Sequence, residues 1–374
     1  MSFSLSLRAA RAGLLGLALP AALLFGPLTA PTAAQGFSEG AVYTSTNEID
    51  GNRVAVFARA LDGTASFQQY VATGGEGTGE GLGNQGAVTL SSDGRYLYVV
   101  NAGSDDLSVF KVLEDGLELL EVVDSRGIRP VSVAQHDDLV YVLNAGDDRI
   151  AGFRQQPNGT LTSLGRRRLS GDDTAAAQVG FSNDGTFLFV TERATNSITR
   201  FRVTRRGGAR QRVVLPSDGP TPFGFHVGQR NQLIVSQAAG GADGESTTTS
   251  YTIDPDDGTL EVVSGSVAAG ETAACWVVGT PDGRLVFVSN TATDSVSSFA
   301  VGFEGQLTLL EAQAANTGDG PLDMALTADG LFFYVLNAAG GGLGDYVVGA
   351  DGSLTGLPGA PGGLPTSASG LAAR

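Results

Sequence analysis

Two histidines, one cysteine and scattered carboxylates are the side chains of this sequence best suited to chemistry. His226 and Cys275 invite comparison with a thiol–imidazole nucleophile. In the strand alignment given below, however, His226 falls level with Val278, three residues past Cys275. Three strand residues span about 10 Å and turn the side chain to the other face, so the two are not expected to meet. Cys275 then reads as a small core residue, and His136 as a solvated turn residue. General acid–base work passes to carboxylates, which act near neutral pH only when burial or a neighbouring acid raises their pKa. Glu192 and Asp323 are the catalytic candidates. Arg129 is a candidate clamp for an anionic group. Gln178, Glu271 and Trp276 offer an amide, a further carboxylate and an aromatic face to a small polar or sugar-like ligand. Packing and hydrogen bonding between repeats is the alternative use for the same side chains. No His or Cys cluster has metal-ligand spacing, the acids do not reproduce a calcium loop, and no glycine loop opens a helix to cradle phosphate. Neither a metal nor a cofactor is expected.

The elements that must position these residues form a repeat. An apolar strand ending in a polar residue, then a loop of small residues, then a strand ending in an aromatic, occurs seven times. The pairs are Asn47 with Phe57, Asn101 with Phe110, Asn144 with Phe153, Glu192 with Phe201, Gln237 with Tyr251, Asn290 with Phe299 and Asn337 with Tyr346. Successive copies are 43 to 54 residues apart, the length of four short antiparallel strands with their turns. Asp-Gly turns at Gly94, Gly185, Gly283 and Gly330 precede the apolar strand, and a second set of Gly turns closes each outer hairpin. The first copy, from Ala41, has no inner strand ahead of it. Residues 367–373 read as an inner strand with nothing after it, so pairing the two would close a ring and remove its open edges.

The expected fold is therefore all-β: a seven-bladed β-propeller of four-stranded antiparallel blades, closed by the C-terminal strand against the N-terminal blade. Counted back from the inner turns, Gln178, Trp276 and Asp323 share one height near the mouth of the central channel. Arg129 takes a comparable entrance position in blade three, and Glu271 stands just before the inner strand of blade six. The Asn that ends most second strands recurs in every such blade, which marks it as structural, a tie to the loop backbone. The Gly-rich residues 74–86 read as a flexible inter-blade loop.

The N-terminus reads as an export signal: Arg8 and Arg11 without an acid, an apolar run interrupted by Pro20 and Pro27, then Thr32 and Ala34 ahead of a cut before Gln35. The expected organisation is a signal peptide over residues 1–34 and the propeller over 35–374, with a retained N-terminal anchor as the alternative. The mature protein is expected in the periplasm or outside the cell, off the membrane and as a monomer. The formal charge of −16 argues against nucleic acid as a partner. Within that acidic chain, Arg166, Arg167, Arg168, Arg200, Arg202, Arg205 and Arg206 crowd together, as an anion patch or as a solvated blade edge. A single cysteine leaves no intrachain disulfide.

The segments SSDGRYLYVVNAGSDDLSVF, SNDGTFLFVTERATNSITRF and TPDGRLVFVSNTATDSVSSF resemble the blade repeat of the seven-bladed lactonase propellers, a family that includes 6-phosphogluconolactonase and 3-carboxymuconate cyclase. The resemblance covers residues 40–374 and implies the propeller fold. It also implies a lactone hydrolase or cyclase acting on a small carboxylated or sugar-derived ring. Enzymatic members carry histidines at the start of a mid-propeller inner strand and an Arg-His pair one blade later. Here those stretches read Ala-Ala-Ala-Gln-Val at 175–179 and Gly-Pro-Thr-Pro at 219–222. Two functions follow. One is an enzyme with Glu192 or Asp323 as acid/base and Arg129 as clamp. The other is a non-catalytic extracellular propeller that binds a glycan, a wall component or a protein.

Overall fold

A computed structural model describes residues 39–318, 320–337, 339–359 and 362–374; the expected signal peptide lies outside the described residues. Seven four-stranded antiparallel sheets form the blades. Their innermost strands, in blade order, are Ser369–Ala373, Val88–Leu90, Pro130–His136, Ala176–Phe181, Pro222–Gly228, Ala274–Gly279 and Pro321–Leu326. Apart from one short 3-10 turn, Ala239–Gly241, the described residues are strands and loops, and none of their helices is long and apolar enough to cross a membrane.

The ring closes as the sequence predicts. Ser369–Ala373 lies antiparallel to Gly40–Ser45, with Val42 opposite Ala373 and Thr44 opposite Leu371. Leu364, Ala368 and Leu371 join Val42, Phe57, Tyr334 and Leu336 in one buried cluster, so the chain ends are held by apolar burial as well as by the ladder.

The aromatic that ends each third strand faces inward. Phe57, Phe110, Phe153, Phe201, Tyr251, Phe299 and Tyr346 are all buried, and losing such a side chain typically costs about 3–5 kcal/mol. The Asp-Gly turns behave as their composition requires. Gly94, Gly185, Gly283 and Gly330 all have φ between 68° and 73°, a region where a Cβ is costly. In each turn the Asp also accepts from a Ser or Thr hydroxyl two residues back, as Ser91 donates to Asp93 at 2.7 Å and Thr280 to Asp282 at 2.7 Å.

Two local expectations are corrected. His136 is the last residue of an inner strand rather than a turn residue. Its Nε2 lies 2.9 Å from the Asn183 carbonyl of the next blade, and its ring packs on Phe181. Residues 74–86 do not form a loose loop. They run along the blade end, where Asn47 Nδ2 donates to Glu80 O at 2.6 Å and Gly103 N to Glu76 O at 2.9 Å. They then turn into the centre of the ring.

Candidate functional site

The centre is plugged by three residues, Asn84, Gln85 and Gly86. Gln85 Nε2 donates to Val277 O at 2.8 Å and Oε1 accepts from Val277 N at 2.9 Å, which ties it to blade six. Its backbone N donates to Ala177 O of blade four at 3.1 Å. Gly86 O accepts from Val133 N of blade three at 2.8 Å, and Gly86 N donates to Asp323 Oδ1 of blade seven at 3.3 Å. Asn84 donates to Val131 O and accepts from Ser369 Oγ of the closing strand at 3.3 Å. The plug leaves no room for a side chain on blade five: a Cβ on Gly224 would stand 2.1 Å from Gln85 Oε1.

Beyond the plug the channel is a blind cavity of about 390 Å³, opening on the face that carries the turns between first and second strands. Its walls combine apolar side chains, Val88, Val133, Val179, Met324 and Leu371 among them, with polar groups, and its closed end is formed by Gln85, Gly86, Gln178 and Asp323. Among the described residues no arginine or lysine lines it.

Asp323 is 3% exposed. Burial pushes its carboxyl up to about 7, against the lowering effect of N–H bonds from Gly370 and Gly86. The Trp276 indole faces the same carboxyl, yet its Nε1 is buried without a hydrogen-bond partner of ordinary length. The site thus holds a near-neutral carboxyl at the end of the cavity, the group that proton transfer requires, while the Trp276 indole bears on that carboxyl and lies outside the cavity lining.

The height shared by Gln178, Trp276 and Asp323 has a structural meaning for two of them, which Ser132 of blade three joins. Ser132, Gln178 and Asp323 each reach from an inner strand to the backbone of the next blade. Ser132 Oγ accepts from Val179 N at 3.2 Å, Gln178 Oε1 from Phe225 N at 2.6 Å, and Asp323 Oδ2 from Gly370 N at 2.9 Å. Trp276 shares the height but packs its ring on Phe223, with centroids 5.0 Å apart.

The remaining candidates lie elsewhere. Glu192 is fully buried beside the linker into blade four, accepting from the Ser170 hydroxyl, from Ser170 N at 3.2 Å and from Thr195 Oγ1 at 3.1 Å. Glu271 is buried in the linker into blade six, bound by Ser295 Oγ at 3.1 Å and Gln313 Nε2 at 2.9 Å. Both stand apart from the cavity lining and act as ties between a linker and its own blade. Arg129 is exposed, with φ of 54° and its backbone N bonded to Asp105 Oδ1 at 2.6 Å. It precedes its inner strand, at the plugged end of the ring. His226 and Cys275 do not meet: the His226 ring abuts Gly279, and Cys275 interacts with Thr291. Burial pushes His226 down to about 4, so its ring is uncharged near neutrality, and Cys275 up to about 12, so its thiol stays protonated there.

Sequence reasoning missed Arg193. Its guanidinium lies 5.2 Å over the Phe223 ring, and Nε donates to Ala175 O at 2.9 Å. Burial holds its pKa below the ordinary arginine value, and Arg129 is close enough to add to that effect. Its position directly after Glu192, outside the repeat motif, gave no cue. Among the described residues no group of His, Cys, Asp and Glu is arranged to hold a metal.

Comparison with known proteins agrees with this architecture. The family model for the lactonase seven-bladed β-propeller matches residues 37–174, 166–278 and 268–355. An uncharacterized protein of Staphylococcus aureus (strain USA300) is 24% identical over 192 residues, which is 49% of this chain and 55% of that protein. The chain therefore spans about half the length of the curated relatives it matches. A periplasmic gluconolactonase of Pseudomonas aeruginosa superposes with a TM-score of 0.70 at 16% identity, covering 89% of this chain and 98% of its own. A Bacteroides uniformis (ATCC 8492) protein provisionally named a 6-phosphogluconolactonase gives 0.71 at 21% identity, with 88% and 99% covered. At such identities the structural likeness carries the fold, and the family rests on the model that spans most of the sequence: the chain belongs to the lactonase family of seven-bladed β-propellers.

Proposed function

We propose that this protein hydrolyses a small, uncharged, sugar-derived lactone at the blind end of its channel, with Asp323 transferring the proton. The observation that carries this reading is a carboxyl with a pKa of about 7 at the end of a cavity of about 390 Å³. The Asp323 carboxylate takes a proton from water as the water oxygen bonds to the lactone carbonyl carbon. The carbonyl electron pair moves onto oxygen. Collapse re-forms the carbonyl and breaks the ring C–O bond, and the proton on Asp323 passes to the departing ring oxygen. One water is consumed and a hydroxy acid is released.

The lining supports an uncharged ring, since no cation stands ready for a phosphate or carboxylate. The basic and then apolar N-terminal residues support action outside the cytoplasm. Hydrolysis of a panel of sugar and dicarboxylate lactones tests the reading. Turnover should favour the uncharged sugar lactones, rise with pH through about 7 and fall roughly 10²-fold in Asp323→Asn. A panel that never exceeds the uncatalysed rate, with saturable binding of one member, would decide for a binding propeller.

A further inference from the structure

We propose that the outer edges of blades three and four form a binding surface for an acidic polysaccharide, a chain of sugar units bearing carboxylate or sulfate groups. Residues 149–212 contain 12 arginines against the four acids Asp172, Asp173, Asp184 and Glu192, a net of +8. The whole chain carries −16, so the remainder carries −24. This basic stretch is therefore a local reversal of charge on an acidic protein.

The fold merges its two halves. Arg167 Nε donates to Ala209 O at 2.8 Å, Tyr141 OH to Gly207 O at 2.5 Å, and Arg212 to Leu169 O. These bonds set Leu161–Arg168 of blade three beside Ala209–Pro216 of blade four. Arg166, Arg168, Arg205, Arg206, Arg210 and Arg212 all reach solvent from this one surface.

Little within the protein neutralises them. Among the described residues only Arg149, Arg154 and Arg168 of the 12 arginines form ion pairs, with Asp147, Asp138 and Asp172. Arg167, Arg200 and Arg202 donate to backbone carbonyls, which satisfies N–H groups and leaves the charge in place. Arg202 stands directly opposite Arg210 in the ladder, a like-charge pair that weakens the sheet unless an anion lies between. Asp257 approaches Arg200 and Arg202 from blade five but is fully exposed.

The shape fits a polymer of separated charges. Arg166 and Arg168 are two residues apart on a strand face, about 6–7 Å, similar to the separation of acidic groups on successive sugar units, while a bulge at Gln211 and Arg212 breaks that alternation in the neighbouring strand of blade four. Hollows of about 470 Å³ and 500 Å³ flank Thr204, Arg205 and Arg210, which both share. The guanidinium fork binds carboxylate or sulfate by paired N–H donors.

The same surface is poorly made for nucleic acid. Its aromatics are covered: Phe187, beneath Arg200 and Arg202, is 1% exposed, so no ring is free to stack on a base. A long duplex would overrun the patch onto the acidic remainder.

The test measures binding of heparin and polygalacturonate, with neutral dextran as blank, to the wild type and to Arg205→Ser/Arg206→Ser/Arg210→Ser. Both acidic polymers should bind, and the triple variant should weaken them at least tenfold while its melting temperature is unchanged. The slope of log K against log salt should fall by about two, as expected for three lost contacts on a flexible polyanion. The double variant Arg95→Ser/Arg284→Ser removes exposed charge elsewhere and should bind as the wild type does. The proposal is overturned if neither polymer binds at about 50 mM salt, where such contacts are strongest, or if the double variant weakens binding as much as the triple. It is equally overturned if single-stranded DNA binds as tightly as polygalacturonate. Self-association of the wild type that the triple variant abolishes, without polymer binding, would assign the patch to a second copy of the chain.

Discussion

Asp323 Oδ2 accepts a hydrogen bond of 2.9 Å from Gly370 N, so the carboxyl at the end of the channel is held by the strand that closes the ring. Deleting residues 363–374 removes that strand, exposes the edges of Gly40–Ser45 and strips one donor from Asp323. The truncated protein should aggregate or melt roughly 10 °C or more below the full chain, as several lost kcal/mol require. Scanning calorimetry with size-exclusion chromatography checks this, and an unchanged melt would mean the closing strand contributes nothing.

Stability should depend on pH through Asp323 and Asp345. Burial pushes each carboxyl up to about 7 from an ordinary 3.8. Asp345 Oδ2 accepts from Ala65 N at 2.8 Å, while its Oδ1 is buried without a partner. An acid whose folded pKa is raised binds its proton more tightly folded than unfolded. Its stabilising effect is therefore present at low pH and is lost as pH rises through about 7. Between pH 5 and pH 8 the melting temperature should fall, by on the order of 5 °C. Asp345→Asn should flatten that slope without touching turnover; a slope unchanged in Asp345→Asn and Asp323→Asn alike would refute the assignment.

Glu192 anchors a linker, so Glu192→Ala should act on folding. It leaves the hydroxyls of half-buried Ser170, exposed Thr195 and buried Ser197 without their carboxylate acceptor, a loss of about 1–3 kcal/mol. Urea denaturation reads this directly. A collapse of kcat at unchanged stability would instead return Glu192 to the chemistry.

Gly224→Ala probes the plug. The added methyl would stand 2.1 Å from Gln85 Oε1 and 2.5 Å from Cys275 O, and the second contact is backbone that cannot swing away. Overpacking of this kind costs about 1–3 kcal/mol or more. The same melt on Gly224→Ala/Gln85→Ala should recover only part of the loss.

What the sequence makes legible is whatever recurs. The seven buried aromatics, the Asp-Gly turns and the closing strand follow from pattern alone, because every blade solves the same packing problem with the same residues. Asp323 is legible for the same reason, as a different residue at a shared height. The plug is not, because Gln85 finds its partner Val277 across 192 residues and no local pattern encodes that meeting. Glu192 and Glu271 mislead for a related reason. As departures from the repeat they look functional, yet Glu192 fills the structural post that Asn144 fills by donating to Ser125 O at 3.1 Å, and Glu271 ties its linker to Ser295 and Gln313 of blade six.

The plug also decides the traffic of the channel. With Asn84, Gln85 and Gly86 tied to opposing blades, nothing can thread through the ring from face to face. A molecule that reaches Asp323 must back out through the mouth it entered, and its successor waits until it has gone. Such a dead end suits a compact monomer and forbids sliding along a polymer, so a long glycan can engage this protein only on its outside.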